Sequence, residues 1–307
     1  MNTKTLVTAL TLVGAISSYA GPVVIDGTDA NDHGSFNGSV NLAGWEYMQR
    51  VLENLGPQVG NGQTKVVTLG ADSGNTARNA INSAFTLSSL AGSWSIGHIT
   101  GAADIATYLS GGTVGVGPNA LSLANTGILY LPTAGLSSGD LDATELAAVN
   151  GGAAAIASFV GGAGTPAVGG GLFAMGESGA GAYGWLSTLV TGITFTDVGG
   201  GGISTDITLT GPGATAFPLL TNADLAGADP WHGYFSGNLG SLTVLGTALD
   251  NGRVSRNLIL GGGAGTVITP DPIGAVPEVS TMASSAVLAG LAGLAVFRRR
   301  RSAAPAA

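Results

Sequence analysis

The chain has 307 residues, no cysteine, 53 glycines, 9% charged residues and a net charge of −8. Without cysteine there are no disulfide staples, no thiol catalysis and no zinc–thiolate site, so a hydrophobic core must hold the fold unaided. Between Gly21 and Ala275 stand 17 acidic residues against five basic ones (Arg50, Lys65, Arg78, Arg253 and Arg256), a surface that repels nucleic acid and offers it no basic groove.

The first twenty residues read as a secretory leader. Lys4 supplies a positive start, Leu6 to Ile16 an apolar run, and Ser18-Tyr19-Ala20 a small-x-small site for signal peptidase. The mature chain is expected to begin at Gly21, with the folded body spanning 21–260.

The body alternates strands and helices. Val23 to Asp26 is a short apolar, β-branched strand. Trp45, Met48, Leu52 and Leu55 recur at helical spacing up to Gly56-Pro57. Lys65 to Leu69 is the second strand, followed by a helix over Asn75 to Phe85. Trp94 to Ile99 is the third, with a helix over Ala102 to Leu109, and Gly127 to Leu131 the fourth. Asp142 and Glu145 then have the spacing of a capping box. The helix they open carries Leu146, Val149, Ile156, Phe159 and Val160 as one apolar stripe, with Gly151-Gly152 a costly pair in its middle. Gly170 to Met175 is the fifth strand, leading through Gly176-Glu177-Ser178 into another helix.

Beyond Gly192 the pattern shortens to strands near Ile193–Asp197, Asp206–Leu209, Leu242–Leu245 and Asn257–Leu260. The expected architecture is therefore α/β. Its features are a three-layer, mostly parallel sheet with helices on both faces, and short extra strands extending it in the C-terminal third. Residues 261–275 read as a Gly/Pro linker.

In an open parallel sheet, ligands sit beyond the carboxyl ends of the strands. The polar residues expected there are Asp26, Asp29, Asp32 and His33 after the first strand, Asp72 after the second, Thr133 after the fourth, and Glu177 and Ser178 after the fifth. Asp26, Asp29, Asp72 and Thr133 are the candidate ligand-binding set. Asp29, Asp32 and His33 offer ligands for a metal such as Ca²⁺, although the spacing lacks the glycine and glutamate of an EF-hand loop. The alternative is that these residues cap helices and make turns.

Gly176-Glu-Ser-Gly-Ala180 approaches a nucleophile elbow, with Ala180 in place of the last glycine. Ser178 as nucleophile, His232 as base and Glu177 or Asp229 as orienting carboxylate would make a serine hydrolase. The alternative casts Ser178 as a helix N-cap and His232 as a turn residue beside Trp231. Gly179-Ala-Gly181-Ala-Tyr-Gly184 satisfies G-x-G-x-x-G, but in a glycine-rich chain and on the fifth strand rather than the first, so a dinucleotide site is set aside.

The C-terminus reads Val276, Pro277, Glu278, Val279, Ser280 and Thr281, then an apolar run to Phe297, then Arg298, Arg299, Arg300 and Arg301. From Val279 to Phe297 the run approaches the ~20 residues needed to cross a bilayer, and the arginines favour the cytoplasmic side. A single C-terminal membrane helix is expected. The order of motif, apolar run and arginine cluster resembles the PEP-CTERM sorting signal of Gram-negative bacteria, with Val279 where a second proline is usual. The resemblance implies recognition by an exosortase-type membrane protease near Pro277-Glu278. It also implies transient inner-membrane anchoring, then release to the cell surface or an exopolysaccharide matrix.

Within the body, Ile128-Leu-Tyr-Leu-Pro132, Leu136-Ser137, Glu145, Phe159-Val160, Gly169 to Phe173 and Gly176-Glu177 form an ordered series. It resembles the central part of class I glutamine amidotransferase-like domains, which implies a flavodoxin-like architecture. That superfamily often places a nucleophilic cysteine after this strand; here Glu177-Ser178 occupy the turn and the chain has no cysteine, which removes glutamine amidotransfer. The features together support an exported, non-catalytic surface or matrix protein with a ligand-binding edge. The competing expectation is an extracellular serine hydrolase.

Overall fold

A computed structural model describes residues 21–132, 140–161, 169–176, 181–198, 207–225, 231–250 and 253–262. In chain order the elements are β1 (Val23–Asp26), the hairpin β2 (Gly34–Asn37) and β3 (Val40–Ala43), α1 (Gly44–Leu55), β4 (Lys65–Leu69), α2 (Thr76–Leu87), β5 (Ser95–Ile99), α3 (Ala102–Leu109) and β6 (Ile128–Leu131). They continue with α4 (Ala143–Gly151), α5 (Ala153–Gly161), β7 (Gly171–Met175), α6 (Leu186–Leu189), β8 (Ile193–Asp197), β9 (Thr208–Leu209), α7 (Gly211–Ala216) and α8 (Asn222–Leu225). The last are β10 (Gly233–Gly237), β11 (Thr243–Asp250) and β12 (Val254–Gly262).

The fold is α/β with a mixed central sheet. Its parallel part runs β5-β4-β6-β7-β1, and β12, β10 and β8 continue it antiparallel. Strand side chains alternate between two cores, as a strand buried on both faces must. Val24, Val66, Ile128, Tyr130 and Phe173 join α1 and α2 in one core; Val23, Ile25, Val67, Leu129 and Leu172 join α3, α4 and α5 in the other.

The five expected parallel strands form within a residue of their expected bounds. Three expectations change. The stripe from Leu146 to Val160 is not one helix: α4 and α5 meet at Gly152 with a 56° bend. A Cβ on Gly152 would enter the Leu109 side chain, so the glycine pair ends one helix and lets α3 pack against the joint. The last strands are longer than expected. In particular, β12 runs through Gly262, two residues into the stretch read as linker, and pairs Val23 with Gly262. The helix expected after β7 is the four-residue α6, and it begins only after a turn over Gly181 to Gly184. Among the described residues no single helix is long and apolar enough to cross a membrane; the 279–297 segment lies outside them.

The capping box is present. Asp142 Oδ1 accepts from the amides of Thr144 at 2.7 Å and Glu145 at 2.8 Å, while Glu145 Oε2 accepts from Asp142 N at 3.1 Å. Glu145 Oε1 also accepts from Gly101 N at 2.6 Å, tying α4 to the start of α3. Asp142→Ala is expected to cost about 1 kcal/mol, and Glu145→Ala more, because it also leaves Gly101 N without its acceptor. Thermal melts of the two variants check this order.

Candidate functional site

The carboxyl end of β1 organises the site. Its last residue, Asp26, is fully buried; Oδ1 accepts from Thr28 N at 3.0 Å and Thr28 Oγ1 at 2.9 Å, and Oδ2 from the Tyr47 hydroxyl at 2.9 Å. Burial outweighs these bonds and pushes its pKa up to about 7. The Tyr183 hydroxyl closes the strand end. It donates between Asp26 O at 2.7 Å and Ala174 O at 2.9 Å, and accepts from Asp26 N at 3.2 Å. Asp26, expected to bind ligand, is therefore enclosed by protein groups.

Past Asp26 the chain turns. Asp29 O accepts from Asp32 N and His33 N, one helical turn that sets Asp29 and His33 four residues apart on the same side. His33 Nε2 lies 2.9 Å from Asp29 Oδ2. The second partner of that oxygen comes from the far end of the chain. Gly27 O accepts from His232 N at 2.9 Å and Gly233 N at 3.2 Å, and Thr28 bridges to Trp231. This joint sets His232 Nε2 3.3 Å from Asp29 Oδ2. Two imidazoles thus converge on one buried carboxylate; His232 is buried, whereas the His33 side chain is 41% exposed. The other Asp29 oxygen, Oδ1, is buried and makes no hydrogen bond among the described residues.

A second polar contact joins the same region. Asn31 Nδ2 donates to Asp140 Oδ1 at 2.6 Å, both side chains being buried. Tyr130, on β6, has its pKa raised well above the ordinary phenol value, first by burial and then by the carboxylates of Asp140, Asp26, Asp32 and Asp29. Those four acids therefore lie within electrostatic reach of one buried ring.

The expected residues divide clearly. Asp29, Asp32, His33 and His232 come together, with Asp29 meeting His232. Asp72 stands apart: it is exposed after β4, and its charge acts on Arg78 and Glu145. Thr133, Glu177, Ser178, Asp229, Ala20 and the tail residues Val276, Pro277, Glu278 and Arg298 to Arg301 lie outside the described residues.

Asn31, Tyr130 and Asp140 were missed. Asp140 sits two residues before a helix cap, where an aspartate reads as a turn residue, and only the fold brings it to Asn31. The third histidine, His98, contacts Thr68 Oγ1 at 2.7 Å; burial, then Arg78, holds its pKa down near about 4.

Among the described residues, no group of three or more His, Asp or Glu side chains is arranged to hold a metal ion. Calcium takes six to eight oxygens; of the expected ligands Asp29, Asp32 and His33, Asp29 Oδ2 faces the imidazoles of His33 and His232. An apolar cavity beside Val23, Leu189 and Leu242 lies at the opposite end of β1 and has no titratable lining.

Compared with known proteins, the chain matches no family model, no curated protein and no solved structure. The readings of its tail and central body rest on their own residues.

Asp26 makes a pH prediction. Its folded pKa is raised, so the folded state holds a proton that the unfolded state releases near pH 4. Its stabilising contribution is full below about pH 4 and declines as pH rises toward about 7. Asp26→Asn should flatten that part of the stability–pH curve, as measured by urea melts from pH 4 to 8. An unchanged slope would remove Asp26 as its source.

Proposed function

We propose that this is an exported protein, delivered by a PEP-CTERM-type tail to the surface or matrix of a Gram-negative cell, whose α/β domain binds a ligand beside Asp29 without chemically transforming it. The leader to Ala20, the motif at Val276-Pro277-Glu278, the apolar run and the four arginines support delivery. The acidic, cysteine-free body suits an extracellular setting.

One observation carries the binding part: His33 and His232 meet on Asp29 at the carboxyl edge of the sheet, where open α/β folds place their ligands. His33, partly exposed, gives this otherwise buried cluster a polar contact with solvent. Exopolysaccharide, rich in hydroxyls that both donate and accept, is the ligand class that the sorting signal makes available.

The Asp29–His232 contact also favours a second reading. A carboxylate beside an imidazole is the orienting half of a serine hydrolase triad; here Asp29 stands at Nε2 rather than the usual Nδ1, and Ser178 would complete it.

Co-sedimentation with exopolysaccharide and hydrolysis of a simple aryl ester separate the two. Binding predicts that His33→Ala weakens co-sedimentation while Ser178→Ala leaves it unchanged, and that neither variant alters ester turnover. Turnover abolished by both Ser178→Ala and His232→Ala would establish the hydrolase instead. For delivery, the intact mass of the protein from its host should show both ends removed. A form retaining Arg298 to Arg301 when the exosortase-type protease is present would contradict processing.

A further inference from the structure

We propose that removal of the leader does more than release the protein: the α-ammonium freed at Gly21 caps the carboxyl end of helix α5. The inference rests on the export reading above. The backbone nitrogen of Gly21 donates to Val160 O at 2.7 Å, and Val160 is the penultimate residue of α5. Carbonyls in the last turn of a helix have no partner within it, and together they form the negative end of the helix dipole. Helix α5 has no basic residue in its last turn, so its own sequence supplies no cation there.

Glycine packing holds the nitrogen in place. A Cβ on Gly21 would enter the backbone carbonyl of Gly170, and one on Gly169 would enter Val160 O and the Gly21 nitrogen. The neighbouring carbonyl is already used, because Gly170 N donates to Phe159 O at 2.9 Å. Gly21, so placed, is the first residue after the small-x-small site at Ser18-Tyr19-Ala20.

Cleavage changes the chemistry of that nitrogen and not its position. In the precursor it is a neutral amide with one N–H. Signal peptidase hydrolyses the Ala20–Gly21 bond: one water is consumed, Ala20 keeps a carboxylate, and Gly21 gains an ammonium with three N–H donors and a full positive charge. The contact with Val160 O becomes charge-assisted. The folded state therefore gains stability only after processing.

The amine can be addressed selectively. After cleavage Lys65 is the sole lysine, so in a Lys65→Arg protein Gly21 carries the only amine. The experiment takes the exported, processed chain carrying Lys65→Arg and compares its melting temperature before and after Nα-acetylation by acetic anhydride. Acetylation at pH 6 should lower the melting temperature by about 2–4 °C, the shift for roughly 1 kcal/mol in a domain of this size. A cation favoured by the helix end has a raised folded pKa. Its contribution is therefore full below the unfolded α-amine value near ~7.7–8.0 and is lost as pH rises through the folded value. The difference should accordingly vanish by pH 10 or above. Equal melting temperatures at pH 6, or a difference that persists unchanged at high pH, would overturn the capping role. N-terminal sequencing of the same exported protein tests the premise separately: a start other than Gly21 overturns the cleavage assignment itself.

Discussion

The close approach of Gly27 to Gly233 sets the rest of the structure. A Cβ on Gly27 would run into the Gly233 carbonyl, so only glycine lets the end of β1 lie against the start of β10. Through that joint Gly27 accepts two amide hydrogen bonds from His232 and Gly233, and its own amide donates to Leu258 O. The parallel half of the sheet is thereby fastened to the antiparallel half at the edge where its loops gather polar residues. His232, some two hundred residues from Asp29 in sequence, arrives at that carboxylate as a consequence.

This arrangement concentrates acid in a dry place. Asp26, Asp29 and Asp140 are buried and, with Asp32, act on one tyrosine. Isolated buried charges are costly, and proteins relieve them by pairing, hydrogen bonding or protonation. Each of these appears here. Asp26 holds its proton up to about pH 7, Asp29 lies against two imidazoles, and Asp140 accepts from Asn31. A site built this way resists rearrangement, because moving any one group leaves another buried without its partner.

Much of the fold was legible because its signals are local. The β-branched runs at Val23, Lys65 and Ile128 mark buried strands, and Asp142 with Glu145 marks a helix start that the structure reproduces bond for bond. The hairpin of β2 and β3 was overlooked although Asn37-Gly38 is a turn signal and Gly38 adopts φ 66°; the flanking residues alternate too weakly to read as strands. The α4–α5 break depends on Leu109 from another helix, which no periodicity within the segment reveals. Strand β10, bounded by glycines, takes its identity from pairing with β8 and β12. At the site, Asp29 and His33 were readable as near neighbours. The addition of His232, the Asn31–Asp140 contact and the separation of Asp72 follow only from topology.

Asp29 is where distant parts of the chain meet, through His33 and His232. A double-mutant cycle over Asp29→Asn and His232→Ala, measured by urea unfolding at pH 7, reads whether that meeting is energetic. Groups in contact within one polar network couple by about 0.5–3 kcal/mol, whereas independent sites are additive to within ~0.3–0.5 kcal/mol. The expected coupling between Asp29 and His232 is at least about 1 kcal/mol. Additive effects would contradict it, because His232 would then lie near Asp29 without being held by it.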